Sequence, residues 1–231
     1  MLAKIVVAID GHSGCGKSTL ARDLAREIGF RHIDSGSMYR AVTFYFLENK
    51  INAKNQSELS DAISSLDLSM QINPDGTTAL YLGEQLMTTQ LRTAAVNESV
   101  SEIASIPAIR SHLVAIQQGL GQHGGVVMDG RDIGSVVFPG AQLKIFLTAS
   151  LLKRVERRRL ELERNEINIS ADEIRKNLKH RDHVDSTRKV SPLLQMEDAV
   201  LIDNTNLSRQ EQLAMVVALV KVRAASTMEL N

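Results

Sequence analysis

The stretch DGHSGCGKST at residues 10–19 combines glycines, a lysine and hydroxyl side chains in a pattern suited to binding phosphate. Residues 11–18 satisfy G-x-x-x-x-G-K-[ST], in which glycines let successive backbone N–H groups turn towards phosphate oxygens. Lys17 would bring a positive charge to the β- and γ-phosphates, and the Ser18 hydroxyl would be a ligand of Mg²⁺. The stretch therefore predicts a nucleoside triphosphate site. Its predicted residues are Gly11, His12, Ser13, Gly14, Cys15, Gly16, Lys17, Ser18 and Thr19.

Two residues of this loop, His12 and Cys15, carry side chains with chemistry of their own. A catalytic imidazole and a redox-sensitive thiol are the functional alternatives. Positions between the fixed residues of the motif usually carry whatever side chain fits, so the sequence favours packing roles for both. If Cys15 were a redox sensor, an oxidant would reversibly block nucleotide binding and a Cys15→Ser variant would not respond.

A phosphate-binding loop is common to GTPases, ATPases, transporters and kinases, so other residues must distinguish among them. Three further segments bring arginines and aspartates together. If the third is helical, Arg181, Asp185 and Arg188 lie on one face at i, i+4 and i+7. The segments are IDSGSMYRA at 33–41, DGRDIGSVVFPGA at 129–141 and RDHVDSTR at 181–188.

The chemistry of these segments suits a phosphorylated acceptor. Guanidinium groups bind phosphate through two parallel hydrogen bonds, so Arg40, Arg131 and Arg188 could converge on a phosphate monoester. Asp132 and Asp185 offer acceptors for an amino group and for sugar hydroxyls. Surface ion pairs are the alternative for each residue. The first two segments follow predicted strands, however, and open α/β sheets bind ligands where their strands end.

The elements that would position these residues belong to a parallel α/β sheet, since a strand, a glycine loop, a helix and a second strand open the chain. The segments flanking NPDGTT alternate in polarity, which predicts an antiparallel hairpin inserted near residues 66–86. A glycine turn is expected at residues 35–37. The predicted strands are Ile5–Ile9, Arg31–Ile33, Val126–Met128, Leu143–Leu147 and Ala199–Ile202. The predicted helices are Ser18–Ile28 with Gly29 as its cap, Met38–Glu48, Thr93–Ser105, one starting at Pro107, a charged region Lys153–Arg181, and Ser208–Arg223.

The composition indicates one globular domain without a polyanionic partner. The chain has 231 residues, 43% of them hydrophobic, and 27 basic residues against 27 acidic ones. A net charge of zero gives no general attraction to nucleic acid or to an anionic membrane. The one cysteine cannot form an internal disulfide, and no apolar run approaches the roughly 18 residues of a membrane span. We therefore expect a cytoplasmic protein that binds neither nucleic acid nor membrane.

The segments GHSGCGKST, IDSGSMYRA, GRDIGSVVFP and RDHVDSTRKVSPL, in this order and spacing, resemble bacterial cytidylate kinases. The resemblance to this P-loop family of nucleoside monophosphate kinases covers nearly the whole chain. It implies that the γ-phosphoryl group of ATP passes in line to CMP or dCMP, with Mg²⁺, in a monomer serving pyrimidine nucleotide metabolism. UMP, dTMP or shikimate remain alternative acceptors. A GTPase switch would be expected to carry an N-K-x-D motif, which this chain lacks.

The resemblance also implies a five-stranded core with two functional lobes. Residues 35–105, including the antiparallel insert, would bind the nucleoside monophosphate, and residues 153–181 would form a helical lid. The lid arginines could instead be a solvated helix face paired with neighbouring glutamates. Asp129 would orient magnesium-bound water, although a strand-end aspartate can simply cap the next turn. The lid residues expected to reach ATP are Arg154, Arg157 and Arg158, with Arg154 and Arg158 sharing a face.

Roles for the acceptor side follow from the same resemblance. The cytosine edge would be read by Ser101, Arg110 and Asp132, the phosphate held by Ser35, Tyr39, Arg40, Arg131 and Arg188, and the sugar by Arg181 and Asp185. The residues expected to act on the transferring group are Lys17, Arg131, Arg158, Arg188 and Asp129. The chain departs from the family pattern at His12, Ser35, Gly140, His183 and Val184, and none of these departures removes a group named above. The last two could alter the charge around the lid.

Overall fold

The computed structural model describes residues 2–73, 77–164, 167 and 169–229, and contains two sheets. The larger is parallel throughout, with strand order β2-β6-β1-β7-β8 in the numbering below. Five parallel strands confirm the predicted core. The strands are β1 (Val6–Gly11), β2 (Arg31–Asp34), β3 (Leu68–Ile72), β4 (Thr78–Leu82), β5 (Gln85–Leu86), β6 (Val126–Gly130), β7 (Leu143–Thr148) and β8 (Val200–Asp203).

Helices cover the sheet and carry much of the cleft described below. Among the described residues, no helix is both long and apolar enough to cross a membrane. Short 3₁₀ and π turns lie at Thr89–Arg92 and Ile133–Val137. The helices are α1 (Lys17–Ile28), α2 (Ser35–Glu48), α3 (Gln56–Ser64), α4 (Ala94–Ile103), α5 (Pro107–Gly121), α6 (Leu151–Arg164), α7 (Ala171–Thr187) and α8 (Arg209–Glu229).

Two apolar layers enclose the parallel sheet because its central strands are buried on both faces. Val7 and Ile9 of β1 pack towards α1 and α8, whereas Ala8 packs with Met128 and with Ile133 on the opposite face. This alternation follows from the two-residue period of a strand. The carboxyl ends of the strands therefore emerge together, held by a packed core beneath them.

The insert forms its own small core beside the sheet. Strands β3 and β4 pair antiparallel as predicted, and β5 adds a third strand that the sequence reading did not anticipate. Residues 74–76, the centre of the predicted turn, lie outside the described residues. Apolar side chains of α2, α3, α4 and α5 pack with Leu68 and Leu80 of this sheet. The helix α3 was also not predicted.

The helix α2 begins earlier than the sequence suggested. The predicted glycine turn at residues 35–37 is wrong, because these residues form the first turn of the helix. Asp34 caps that turn, accepting a hydrogen bond from the Ser37 backbone N–H at 3.0 Å. A strong cap thus offsets the low helix propensity of Gly36.

The charged region predicted as one helical stretch is two helices, α6 and α7, packed through Val155, Leu162, Ile174 and Leu178. A capping box between Ser170 and Glu173 begins α7. This second helix ends at Thr187, so the one-face prediction for residues 181–188 holds only up to that residue. Arg188 follows in an extended conformation.

Candidate active site

A cleft of about 660 Å³ opens at the carboxyl ends of the strands, between the phosphate-binding loop, the helices α2, α4 and α5, and the helices α6 and α7. It brings together most of the residues singled out from the sequence, although they span positions 13 to 188. Gly11, His12, Cys15 and Arg154 do not line it. Those that do are Ser13, Gly14, Gly16, Lys17, Ser18, Thr19, Ser35, Tyr39, Arg40, Ser101, Arg110, Asp129, Arg131, Asp132, Arg157, Arg158, Arg181, Asp185 and Arg188.

The loop between β1 and α1 has the conformation that its glycines predict. Gly14 and Gly16 have φ angles of 76° and 95°, in the left-handed region that favours glycine. Lys17 is buried and turned back on the loop, where its Nζ donates to the His12 carbonyl at 2.7 Å. Burial lowers the pKa of Lys17, and the nearby charge of Arg131 lowers it further.

Cys15 lies beneath this loop as a packing residue. Its side chain is fully buried in the apolar layer between β1, α1 and α8, and its thiol is free. Lys17 Nζ is 3.6 Å from the Cys15 Sγ, and the Cys15 carbonyl accepts hydrogen bonds from Arg157 and Asn204. The residue thus supports the loop from below and does not face the cleft.

Three polar side chains meet at the start of α1 and the end of β6. Ser18 Oγ donates to Asp129 Oδ2 at 2.6 Å, and His32 Nε2 lies 2.8 Å from Asp129 Oδ1. Burial alone would raise the pKa of Asp129, but the hydrogen bonds and charge of His32 and Ser18 hold it below its ordinary value. The carboxylate is therefore ionised and fixed in orientation. His32 was missed from sequence because a single histidine in a short strand carries no motif.

On the acceptor side, Arg110 and Asp132 form an ion pair that is almost completely buried. Arg110 also donates to the Ala104 carbonyl at 2.9 Å, and its guanidinium lies 5.1 Å from the centroid of the Tyr39 ring. Ser101 lines the same part of the cleft and is also buried. The structure places this arginine inside the molecule, whereas its helix spacing alone suggested an ordinary exposed residue.

A second set of charges joins β6 to α7. Arg131 Nε donates to Asp185 Oδ2 at 2.7 Å, and this carboxylate holds the pKa of Arg131 above its ordinary value although burial opposes it. Arg188 has its terminal nitrogens 3.5 Å from Asp185 and 3.7 Å from Asp132. Two aspartates thus orient two guanidinium groups beside the cleft.

Cationic charge remains in excess around these pairs. Burial lowers the pKa of Arg181 to about 10, and the neighbouring charge of Arg131 contributes to the shift. Its Nε and one terminal nitrogen of Arg188 are buried without a hydrogen-bond partner. Arg40 is held by Asp34 at 2.8 Å. Buried donors without partners are costly, and an anion bound in this part of the cleft would satisfy them.

The three arginines predicted for the lid have different environments. Arg154 is buried, bonded to the Ser13 carbonyl at 3.2 Å and to Asp182 at 2.6 Å. Arg157 bonds to the Cys15 carbonyl and to Asn204, while still lining the cleft. Both therefore tie the helix α6 to the phosphate-binding loop.

Arg158 faces the cleft with a partner that it could exchange. It pairs with Glu161 one helical turn away at 2.9 Å, in a partly exposed position. Glu161 also lies 3.8 Å from Arg92 of the 3₁₀ turn Thr89–Arg92. His12 faces Asp182 of α7 at 3.5 Å, which is a contact between the loop and the lid helices. Of the three arginines predicted for the lid, Arg158 is therefore the most free to turn towards a bound phosphate.

Comparison of the sequence with known proteins gives one consistent result. The family model described as cytidylate kinase matches residues 7–222. A cytidylate kinase from Flavobacterium psychrophilum is 46% identical over 223 residues, covering 95% of this chain and 99% of the relative. One from Fusobacterium nucleatum is 43% identical over 207 residues, covering 90% of this chain and 93% of the relative.

Comparison of the fold gives a broader group. A gluconokinase structure from Sinorhizobium meliloti aligns with a TM-score of 0.50 at 14% identity, covering 100% of this chain and 99% of that one. At this identity the likeness concerns the fold alone. It agrees with a parallel sheet that carries a phosphate-binding loop at its carboxyl edge.

Proposed function

The chain belongs to the cytidylate kinase family, and from this premise we propose how its cleft carries out the ATP-dependent phosphorylation of CMP. One observation supports the proposal most. Lys17 of the phosphate-binding loop shares a single cleft with the ion-paired Arg131 and Arg188, so cationic groups for two phosphorylated substrates face the same space. Two polyanions can therefore be held with their phosphates adjacent.

The donor side would be formed by the loop and the lid. The backbone N–H groups of the loop and the start of α1 would bind the phosphates of ATP, as helix N-termini commonly do. Lys17 would exchange its bond to the His12 carbonyl for phosphate oxygens. Arg158 would leave Glu161 and contact the transferring group when the lid closes, while Arg154 and Arg157 keep α6 attached to the loop.

The acceptor side would bind CMP between the carboxyl edge of the sheet and the helices α2, α4, α5 and α7. Arg110 and Asp132, with Ser101, would meet the cytosine edge, because together they present donors and acceptors in a buried position. The phosphate would be held by Ser35, Tyr39, Arg40, Arg131 and Arg188, and the sugar by Arg181 and Asp185.

The chemistry requires positioning and charge compensation more than proton transfer. An oxygen of the CMP phosphate forms a bond to the γ-phosphorus of ATP, and the bond from that phosphorus to the bridging oxygen breaks to release ADP. The transition state is loose, so the residues act by aligning the two phosphates and neutralising their charge. We assign that work to Lys17, Arg131, Arg158 and Arg188.

Ser18 and Asp129 fit a magnesium ion. Their oxygens are hard ligands 2.6 Å apart in the cleft, and Asp129 is held in its ionised form. Among the described residues no group of three His, Cys, Asp or Glu could hold a metal. The remaining ligands of Mg²⁺ would be phosphate oxygens and water. When bound, Mg²⁺ neutralises charge on the phosphates of ATP. Ser18 would contact it directly and Asp129 through water.

The division into lobes and the oligomeric state form part of the proposal. We assign acceptor binding to residues 35–105 and lid closure to residues 153–181, within one domain. The monomer follows from the resemblance to the family, and the cleft of a single chain holds groups for both substrates. dCMP would be accepted as well, since the base and phosphate contacts do not depend on the 2′-hydroxyl.

The decisive experiment follows ADP release from ATP with each acceptor in turn. CMP and dCMP should accelerate release strongly over a control without acceptor, and UMP, dTMP and shikimate should do so much less. No acceleration by CMP would overturn the proposed function.

The metal assignment has a separate readout. Binding of Mn²⁺ in the presence of ATP, measured by electron paramagnetic resonance, should weaken about tenfold or more in Asp129→Asn. The control is Asp34→Asn, which lines the same cleft and carries the same change of charge. Equal Mn²⁺ affinity in the wild-type protein and in Asp129→Asn would contradict the role assigned to Asp129.

A further inference from the structure

Asp10, the residue before the phosphate-binding loop, has a contact that the reaction described above does not use. Its side chain is buried at the end of β1. Asp10 Oδ1 accepts a hydrogen bond from the backbone N–H of Ile133 at 2.9 Å, and Oδ2 accepts one from Gly134 at 2.7 Å. Both oxygens of one carboxylate thus bind two successive amides more than 120 residues away along the chain.

The alternation of β1 explains why this carboxylate reaches that place. Ile9 points into the apolar layer against α1 and α8, and Asp10 points to the opposite face, after Ala8. On that face the π turn Ile133–Val137 begins, and its preceding residue Asp132 supplies no side-chain cap. The first amides of a helical turn need an acceptor. Asp10 supplies it from another strand.

The geometry also determines which residues this contact holds. In the ladder between β1 and β6, Asp10 is aligned with Gly130, so its backbone anchors the chain just before residues 131 and 132. Its carboxylate anchors the chain just after them, at Ile133 and Gly134. Arg131 and Asp132 therefore lie on a two-residue bridge whose two ends are both held by Asp10.

We propose that Asp10 is a positioning residue for the acceptor substrate, acting through the backbone of residues 133–134 on Arg131 and Asp132. These two side chains are the centre of the acceptor ion pairs, with Asp185 and Arg110 as their partners. A shift of the bridge would misdirect both pairs at once. The proposal rests on the function assigned to the cleft, and it adds a residue that does not line the cleft.

Asp10 does not hold the donor site in the same way. The backbone at the start of the phosphate-binding loop is held by ladders on both sides, where Asp10 is aligned with Gly130 and Phe146, and Gly11 with Leu147. These backbone bonds do not depend on the side chain at position 10. Loss of the carboxylate should therefore affect the binding of CMP more than the binding of ATP.

The test measures binding of CMP and of a non-hydrolysable ATP analogue by calorimetry at pH 8, in the wild-type protein and in Asp10→Asn. Asparagine keeps the size but offers one acceptor oxygen to two N–H groups. The dissociation constant for CMP should rise about tenfold or more, because a bond to a charged group is lost, and that for the ATP analogue less than about threefold. Steady-state rates should show the same split between the KM values for CMP and ATP.

The matched control is Asp23→Asn. Asp23 is a buried aspartate of α1 that accepts two hydrogen bonds from Arg209, and it does not contact the acceptor segment. This variant should bind CMP with unchanged affinity. An equal loss of CMP affinity in both variants would mean that Asp10 acts only through general stability, and would overturn the proposal.

Two further measurements cover the remaining outcomes. If Asp10→Asn does not fold, amide hydrogen exchange in the wild-type protein takes its place: the amides of Ile133 and Gly134 should be as protected as those of β6, and rapid exchange would refute the bridge. Wild-type protein that fails to bind CMP would refute the proposed function instead. Wild-type protein that binds CMP while Asp10→Asn binds it equally well would refute only the role of Asp10.

Discussion

The two halves of the cleft are built in different ways. The donor half is centred on one short loop, whose glycines and backbone N–H groups lie within residues 11–19, with arginines of the lid beside it. The acceptor half is assembled from side chains of α2, α4, α5 and α7 and of the segments that follow β6 and α7, among them buried pairs of arginine and aspartate. A loop that binds through its backbone needs little support from distant residues, whereas paired charges need every partner in place.

This difference predicts where stability and activity are coupled. Removing one partner from a buried ion pair leaves an uncompensated charge, which is strongly destabilising. Removing a buried lysine from the loop takes away a charge that is costly to bury. Substitutions in the acceptor ion pairs should therefore reduce both folding stability and substrate binding, whereas substitution of Lys17 in the loop should reduce the rate alone.

The largest effect is expected for Asp132→Ala. It leaves Arg110 buried with only its bond to a backbone carbonyl and its contact with Tyr39, so the free energy of unfolding should fall by about 3–5 kcal/mol in urea titrations. The control is the double variant Arg110→Met with Asp132→Leu, which removes both charges. It should recover most of the stability without recovering CMP binding. A loss below about 1 kcal/mol in the single variant would contradict the coupling.

Lys17→Met should reduce catalytic activity without reducing folding stability. The value of kcat should fall by about 10²–10³, the range for loss of one group that stabilises developing charge. CMP affinity should not change, and the free energy of unfolding should stay equal or rise, because burial disfavours the charged lysine. Calorimetry with CMP and urea unfolding would measure both. A parallel loss of CMP affinity would show that the halves are not independent.

Arg158→Ala and Arg157→Ala compare two neighbouring arginines of the lid helix. The first should lower kcat about tenfold or more while changing the free energy of unfolding by at most about 0.5 kcal/mol, since its pair with Glu161 is partly exposed. The second should destabilise by roughly 1–3 kcal/mol, because its bonds to Cys15 and Asn204 are lost. Normal turnover in Arg158→Ala, together with an inactive but stable Arg157→Ala, would show that Arg157 and not Arg158 contacts the phosphate.

The smallest effect concerns the pH dependence of stability through Asp10. Burial raises its pKa to about 6 from 3.8, against the two amide bonds, with Asp132 raising and Lys17 lowering it. As pH falls through 6, Asp10 of the folded protein takes up a proton that the unfolded chain accepts only near pH 3.8. Asp10 therefore destabilises the folded state less at pH 5 than at pH 7.5. The free energy of unfolding of Asp10→Asn minus that of the wild-type protein should therefore be lower at pH 5 than at pH 7.5, by roughly 1 kcal/mol.

Urea titrations of both proteins at pH 7.5 and pH 5 measure this difference directly. Groups that titrate equally in the two proteins cancel in the subtraction. A higher value of this difference at pH 5 than at pH 7.5 would mean that the surroundings favour the charged form of the Asp10 side chain, contrary to its raised pKa.

The sequence predicted the elements of the core well, because strands buried on both faces and helices with one apolar face have clear periodicities. The five parallel strands and the hairpin of the insert were expected, and their boundaries differ from the structure by a few residues. The helix start at Ser35 was missed because Gly36 suggested a turn, and the capping by Asp34 was not considered. The helix α3 and the break between α6 and α7 were also missed, since both lie in polar segments with weak patterns.

The sequence predicted the residues of the candidate site about as well as it predicted the elements of the core. The phosphate-binding loop is a local motif, and the acceptor residues were named from clusters and from a family resemblance. Nothing in the spacing of Ser101 and Arg110 marked them, and their burial results from the packing of the helices α4 and α5. His32 and Asp10 were not found, because each acts on a residue about a hundred positions or more away through strand register.

By itself, then, the sequence determined the chemistry available to this protein: a loop for a triphosphate, arginines for a second phosphate, and a parallel sheet to carry them. These follow from local patterns, since backbone conformation and hydrophobic periodicity are set within a few residues. Tertiary structure alone decided which arginine meets which aspartate and which carboxylates are buried. Pairing and burial depend on contacts between distant segments, and only the packed sheet brings Asp10 to the start of the turn at Ile133.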